Sequence, residues 1–276
     1  MGEAAGLAIS AVALAGLFNN TVDCFEYVQL GRGFGKSFQT SQLKLDNGRL
    51  RLSRWGHSLG LGSSMQDEQS LEQRLGSGED VKQAGNLLGQ IQDLFADAEG
   101  LAEKYKRRTR PDDSSLALCN PQADLDPLYA NLHDKMRQLS IDRQNRTAVR
   151  QKVKWALYEE KSFRRLIEDV IGRVNDLVEL FPASQAMQKQ LCETEVSVIG
   201  NGAGTAVLRE VVAEQDKALA EALAKAVNAT NGPQTANFTG SNNSGFQLGF
   251  NSGSISGFNF CGGKSGSTGA HNDAVE

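Results

Sequence analysis

The side chains that most often carry catalysis are few and scattered in this sequence. Its three histidines, His57, His133 and His271, lie in unrelated contexts. No nucleophile elbow, paired-carboxylate motif, Walker loop or metal-ligand cluster accompanies them. The four cysteines are isolated as well: Cys24, Cys119, Cys192 and Cys261. Their spacing suggests neither a zinc site nor a disulfide framework, and isolated thiols fit a reducing compartment. We therefore expect a protein that is not an enzyme and has no cofactor or metal.

Two carboxylate pairs and two glycine-rich runs are weaker candidates for chemistry. We interpret the pairs as solvated helix or loop charges: Glu159 with Glu160, and Glu193 with Glu195. The run 31–35 predicts a flexible turn between helices, and the run 200–204 predicts a break in the chain. A phosphate-binding loop needs a preceding strand and a following helix, and neither run has that context. The net charge of −4 also argues against a general nucleic-acid binder.

The stretch from Ala4 to Val22 contains no charged side chain. As a helix it would span roughly 28 Å, close to the ~30 Å hydrocarbon core of a bilayer. It is rich in small residues and is flanked by Glu3 and Asp23, so it does not look like a constitutive membrane helix. Its large apolar side chains are the candidates for membrane insertion: Leu7, Ile9, Val12, Leu14, Leu17 and Phe18.

Several interpretations of this stretch remain open. We favour a helix that is buried in one state and inserted in a membrane in another, and an ordinary buried helix is the main alternative. A secretory signal peptide would explain the small-x-small sequence 13–15, but the first basic residue is Arg32. N-myristoylation is weaker still, because Gly6 stands where that motif requires Ser or Thr.

Apolar periodicity predicts an all-helical bundle of about seven or eight helices through residue 227. The N-terminal helix is predicted to continue through 23–30, and a last single helix carries Leu208 to Leu223. The other predicted helical segments are 36–59, 80–105, 128–139, 149–157, 163–181 and 187–196. With 276 residues, the chain can hold one domain of about 200 residues and a tail.

The helix predicted at 80–105 ends in a basic cluster. Its members are Lys104, Lys106, Arg107, Arg108 and Arg110. The simpler interpretation is that these cations complement the C-terminal end of the helix dipole. The alternative is a patch that binds anionic lipid head groups.

The composition changes beyond Lys225. Residues 226–263 carry no charge, and glycine recurs every four residues from Gly245 to Gly257. In an extended strand, apolar side chains of 246–250 would form one face and Gln and Asn the other, which favours cross-β stacking between chains. We expect this tail to be disordered in the monomer and ordered in an assembly; a flexible linker is the alternative. The predicted amyloid motif within 237–260 comprises Asn243, Gly245, Phe246, Gln247, Leu248, Gly249, Phe250, Asn251, Gly253 and Ile255.

Several stretches of this sequence resemble the HeLo domains of fungi, named after the HET-S and LopB proteins. They are Gly16–Arg32, Gln42–Asp46, Leu52–Gly56, Trp155–Tyr158, Lys161–Ser162 and Phe181–Pro182. The resemblance implies a helical bundle over residues 1–227 and allows a small β-hairpin. It also implies that the N-terminal segment is released on activation, enters the plasma membrane and permeabilises it.

The tail, residues 228–276, resembles a different element. Phe246–Asn251 is similar to the core of the amyloid motif shared by necroptosis proteins and the fungal pseudopalindromic motif. It lacks the charged and aliphatic repeats of the HET-S β-solenoid tail. The resemblance implies a NOD-like receptor with a matching motif as the partner that templates assembly.

Together these features predict a signal-gated cell-death effector that self-assembles as an amyloid and acts on membrane lipids. We expect it in the cytoplasm when inactive and at the plasma membrane when activated. Two other hypotheses are a non-lytic amyloid adaptor and a prion-like inhibitor built on the same domain.

Overall fold

The computed structural model describes residues 10–62, 75–76, 78–144, 154–200, 202 and 204–231. Within these residues the chain forms nine α-helices and a pair of short strands. The helices are α1 (Ala11–Tyr27), α2 (Phe38–Leu59), α3 (Gly78–Arg108), α4 (Pro121–Asp124), α5 (Pro127–Asp142), α6 (Glu160–Leu180), α7 (Gln185–Ile199), α8 (Gly204–Gln215) and α9 (Lys217–Asn231). The strands are β1 (Val28–Leu30) and β2 (Trp155–Leu157). The predicted all-α bundle is confirmed.

Local sequence signals explain where the first two long helices begin and end. The Ser10 hydroxyl accepts a hydrogen bond from the Ala13 amide at 3.2 Å and so caps the start of α1. Helix α2 stops at Gly60, whose φ of 86° is readily adopted only by a residue without a side chain. Helix α6 has a continuous apolar face that is buried from Phe163 to Leu177, as its sequence predicted.

The region after α1 differs from the prediction. Residues 28–30 form a strand instead of continuing the helix, and β1 pairs in parallel with β2, with Val28 opposite Trp155. The strand pair in the described residues is therefore not the β-hairpin that the resemblance allowed, because parallel strands cannot be joined by a tight turn. The predicted helix at 149–157 is wrong at 155–157, which are strand. Burial alternates along β1, as expected for a strand. Over only three residues, however, such an alternation in the sequence cannot be distinguished from one turn of an amphipathic helix.

The predicted turn at 31–35 is a 3₁₀ segment, Arg32–Ser37, that leads into α2. The strand β1 comes directly before it, so the expectation that no strand precedes this run is wrong. The single helix predicted near the C-terminal end is instead two helices, α8 and α9. They are separated at Asp216, whose carboxylate accepts a hydrogen bond from the Leu219 amide at 3.2 Å. A capping carboxylate satisfies the free amides at the start of α9, and this explains the break.

Helix α2 lies at the centre because it contributes to two apolar clusters. The first cluster contains the buried faces of α1, α3 and α6, the strands and several α2 residues, among them Trp55. The second contains Leu43 and Leu50 of α2 together with apolar residues of α5, α7, α8 and α9. Within the described residues, no helix is both long enough and apolar enough to cross a membrane.

Candidate functional site: the seat of the N-terminal helix

Helix α1 carries four of the six predicted insertion residues, and they differ sharply in exposure. Leu14 and Phe18 are fully buried, Leu17 is half-buried, and Val12 is 59% exposed. Leu7 and Ile9 lie outside the described residues. In this conformation α1 is therefore a core helix with one exposed edge.

Two glycines of α2 accommodate two phenylalanines of α1. A Cβ atom at Gly56 would lie 2.1 Å from the Phe18 ring, and one at Gly48 would lie 3.2 Å from the Phe25 ring. The glycines are eight residues apart and the phenylalanines seven, so each pair lies along one face of its helix. We call this contact surface the aromatic seat: Phe18 and Phe25 on Gly56 and Gly48.

Further aromatic side chains surround the seat. The Phe18 and Trp55 rings meet edge to face with centroids 6.2 Å apart, and Trp55 lies 6.0 Å from the Phe181 ring. The Trp55 indole N–H donates to the Leu177 carbonyl at 3.0 Å, which satisfies its buried polar atom. Nearer the C-terminal end of α1, the Phe25 ring meets the ring of Phe95 with centroids 4.8 Å apart.

Amides from two other elements also hold α1. The Gln92 side chain of α3 donates to the Thr21 hydroxyl at 2.9 Å and to the Leu17 carbonyl at 3.3 Å. Gln144, just beyond α5, donates to the Asp23 carboxylate at 2.9 Å. Each bond contributes on the order of 1 kcal/mol net, so these contacts orient α1 more than they bind it.

An ionic contact fixes the C-terminal end of α1. Glu26 pairs with Arg49 of α2 and with Arg137 of α5, whose Nε lies 2.9 Å from the carboxylate. Burial alone would raise the pKa of Glu26, but the charges and hydrogen bonds of the two arginines hold this pKa below its ordinary value. Glu26 is therefore ionised at neutral pH.

A buried ion cluster joins α2 to the C-terminal helices. Arg54, 1% exposed, lies 2.6 Å from the Glu195 carboxylate and 2.8 Å from that of Asp216. Arg143 contacts Glu195 from the other side at 2.5 Å. The prediction that Glu195 is solvated is thus wrong: it is fully buried. Two cations and two carboxylates neutralise one another in this cluster. Such pairing is needed because an unpaired charge is costly to bury.

The pKa values in this cluster follow from its pairing. Burial alone would raise the pKa of Asp216, but the Arg54 charge lowers it below the ordinary value. Burial raises the pKa of the nearby Cys192 thiol to about 12, so that thiol is protonated and unreactive at neutral pH. The cluster is therefore an anchor between helices rather than a reactive centre.

Most residues of this site could not be recognised from local sequence patterns. Only the family resemblance distinguishes the motif 52–56 in the sequence, yet this motif contains Arg54, Trp55 and Gly56 in succession. Arg54 binds the C-terminal helices, while Gly56 receives the ring of Phe18. An arginine next to a tryptophan and a glycine inside an otherwise regular helix is the signal that could have drawn attention to them.

The remaining predicted residues are placed as follows. The basic cluster lies at the end of α3, and all five side chains are exposed: Lys104, Lys106, Arg107, Arg108 and Arg110. None of them forms an ion pair with another residue in the described ranges. The amyloid motif at 237–260 lies outside the described residues. Within the ranges described, no group of three or more His, Cys, Asp or Glu side chains could hold a metal ion.

Two solved structures of N-terminal domains have a fold similar to that of this chain. The structure of the HET-S N-terminal domain matches with a TM-score of 0.70 and 32% identity, covering 79% of this chain and 94% of that one. A doubly substituted HET-s N-terminal domain matches with a TM-score of 0.69 and 31% identity, covering 78% of this chain and 98% of that one.

Sequence comparisons identify relatives of the same kind. The chain is 32% identical over 236 residues to the heterokaryon incompatibility proteins s and S of Podospora anserina, covering 86% of this chain and 79% of each relative. Residues 6–209 match the HeLo family, described as "Prion-inhibition and propagation". The chain therefore belongs to the HeLo family.

Proposed function

We propose that this protein is a non-enzymatic cell-death effector of heterokaryon incompatibility, which acts by permeabilising the plasma membrane. The similarity to the Podospora incompatibility proteins supports the biological role. The observation that carries the mechanism is the way α1 is held: its uncharged residues 11–22 pack in the core, and the helix contacts several separate elements.

Release of α1 is the output step. Moving α2 or the amides away would free the helix, and burial of its apolar side chains in lipid would stabilise the inserted state. The exposed basic cluster at the end of α3 would bring the domain to an anionic bilayer. The protein would thus move from the cytoplasm to the plasma membrane on activation.

The tail is the input. Amyloid templating of residues 237–260 by a NOD-like receptor with a matching motif would gather many copies of the chain. The predicted tail begins inside the last turn of α9, because the helix continues to Asn231 and so residues 228–231 are helical rather than disordered. The start of α9 adjoins Asp216, which Arg54 of α2 binds. Displacement of α9 would therefore act on the helix that seats α1.

Dye release from anionic liposomes tests the proposal. Full-length protein is added with and without preformed fibres of residues 228–276, and we expect leakage that depends on the fibres. Assembly without leakage would contradict the proposal and favour the non-lytic adaptor or the prion-like inhibitor.

A substitution on the exposed edge of α1 sharpens this test. A charge at Leu14 or Phe18 would unfold the domain because both are fully buried, whereas Val12→Lys leaves the resting fold intact because Val12 is 59% exposed. Lysine at the centre of a membrane helix costs about 2.5–3.5 kcal/mol, so Val12→Lys should assemble normally but leak poorly. The matched control is Val198→Lys, at a 41% exposed position of α7, which should leak like the wild type.

A further inference from the structure

A cavity of about 500 Å³ lies beside the C-terminal end of α1. Its walls come from α1, β1, α2, α5 and the segment 118–122, with Lys154 at one side. This volume falls within the range of about 300–1,000 Å³ that small-molecule sites occupy in proteins. The family resemblance and the proposed membrane step leave this cavity without a role.

Arg49 lines the cavity and is incompletely paired. One terminal nitrogen of its guanidinium pairs with Glu26, and the other donates to the Gln144 side chain at 3.4 Å, near the limit for a hydrogen bond. Its buried Nε has no acceptor among the described residues. A guanidinium carries five N–H donors, and a buried donor without an acceptor costs about 1–3 kcal/mol. An acceptor group bound in the cavity would satisfy this donor, which has no partner among the residues that the structure describes.

Positive charge exceeds negative charge along this wall. Glu26 is shared between Arg49 and Arg137, so one carboxylate faces two guanidinium groups. The other lining carboxylate, Asp46, is engaged by His133, whose Nδ1 lies 2.8 Å away. Lys154 is exposed and forms no ion pair with any residue in the described ranges, and so it adds a further uncompensated cation.

Neutral donors complete the lining. Four residues with side-chain amides belong to the lining: Gln29, Gln42, Asn120 and Gln122. The Gln42 amide also donates to the Asp46 carboxylate at 3.2 Å. Amide N–H groups beside arginine and lysine are the combination that binds phosphate oxygens, since each oxygen accepts several hydrogen bonds and the group is anionic.

We propose that this cavity binds a phosphate group, held between Arg49, Arg137 and Lys154. The group could belong to a soluble phosphomonoester or to the head of a phospholipid. An anion there would compete with Glu26 for the two arginines, so the ligand would alter how firmly the end of α1 is held. That last consequence rests on the proposed function, whereas binding itself does not.

Titration calorimetry of the full-length protein with glycerol 3-phosphate tests binding at an ionic strength fixed with sodium chloride. We expect saturable binding that Lys154→Gln weakens at least fivefold. Because Lys154 is exposed, this variant retains its fold. The matched control is Lys189→Gln, an exposed lysine of α7 that does not line the cavity, which should bind like the wild type.

Vesicles of phosphatidylcholine with phosphatidic acid distinguish the two sources of phosphate. Saturable binding of glycerol 3-phosphate that depends on Lys154 supports a soluble ligand. Binding that depends on Lys154 but is restricted to the vesicles supports a lipid head group. Absence of binding to both probes, or an equal effect of both lysine substitutions, overturns the proposal. Since neither assay measures leakage, failure here leaves the proposed function standing.

Discussion

The ring of Phe18 lies where a side chain at position 56 would be, so that a Cβ atom on Gly56 would approach it to 2.1 Å. Because the ring packs between Gly56 and Trp55, α1 and α2 approach each other more closely than two helices with ordinary side chains could. The first prediction follows from this contact.

Gly56→Ala should destabilise the domain by about 1–3 kcal/mol, because the added methyl group must displace the Phe18 ring. Denaturant unfolding monitored by tryptophan fluorescence measures this loss. The control is Gly89→Ala in α3, where a Cβ atom would meet nothing within 4 Å. Alanine there should leave the free energy of unfolding unchanged or raise it by up to about 1 kcal/mol. Equal stability of the two variants would contradict the close approach.

Under the proposed function, Gly56→Ala should also release dye from anionic liposomes without fibres. The substitution weakens the seat of α1 but leaves its apolar side chains unchanged. If the variant is destabilised yet leaks only when fibres are added, loosening α1 is not sufficient for membrane damage.

Glu195→Gln should be among the most damaging single substitutions in the chain. It leaves Arg54 and Arg143 buried with one carboxylate between them, and breaking a buried ion pair in this way costs about 3–5 kcal/mol. The matched control is Glu179→Gln, on an exposed site of α6, for which we expect a change within about 0.5 kcal/mol. Thermal unfolding of both variants checks the difference.

Two histidines should give stability a pH dependence of opposite sign. Burial alone would lower the pKa of His133, but its hydrogen bond to Asp46 and that residue's charge raise the pKa above its ordinary value. Its contribution to stability is therefore complete below the unfolded pKa, about 6.5, and is lost as the pH rises through the folded pKa. For His57, burial and the charge of Arg143 lower the pKa below its ordinary value. The stability that this residue contributes is therefore lost as the pH falls through the folded pKa, and it is complete above the unfolded pKa of about 6.5.

Unfolding free energies between pH 5 and 8 measure these contributions. Replacing His133 by Gln should remove a decline of stability with rising pH, whereas His57→Gln should remove an increase. A change of the same sign in both variants would show that the two imidazoles do not have the environments described here.

Sequence patterns predicted the long helices well where one face is continuously apolar, as in α6. They failed where a distant partner decides the structure. The three residues of β1 are a strand because β2, more than 120 positions away, pairs with them. The local sequence predicts a solvated charge at Glu195, because its partner Arg54 lies 141 positions earlier in the chain. No local periodicity records such a pairing.

The candidate site also combines features that the local sequence predicts with features that only the folded structure reveals. Composition alone marked residues 4–22 as uncharged and apolar, and this directed attention to α1. The glycines that receive its phenylalanines could not be recognised, because a glycine in a helix has many explanations and the close approach exists only in three dimensions. Gln92 and Gln144 were equally hidden, since a polar side chain on a helix is usually solvated.

Arg54, Trp55 and Gly56 follow one another along α2, and successive residues of a helix point about 100° apart around its axis. One turn therefore engages the C-terminal helices, the α6 carbonyl of Leu177 and the ring of Phe18 in three different directions. Turning α2 about its own axis would break all three contacts together. The domain should accordingly open in one cooperative step rather than by gradual loosening of α1, and a sub-threshold signal would leave every contact in place.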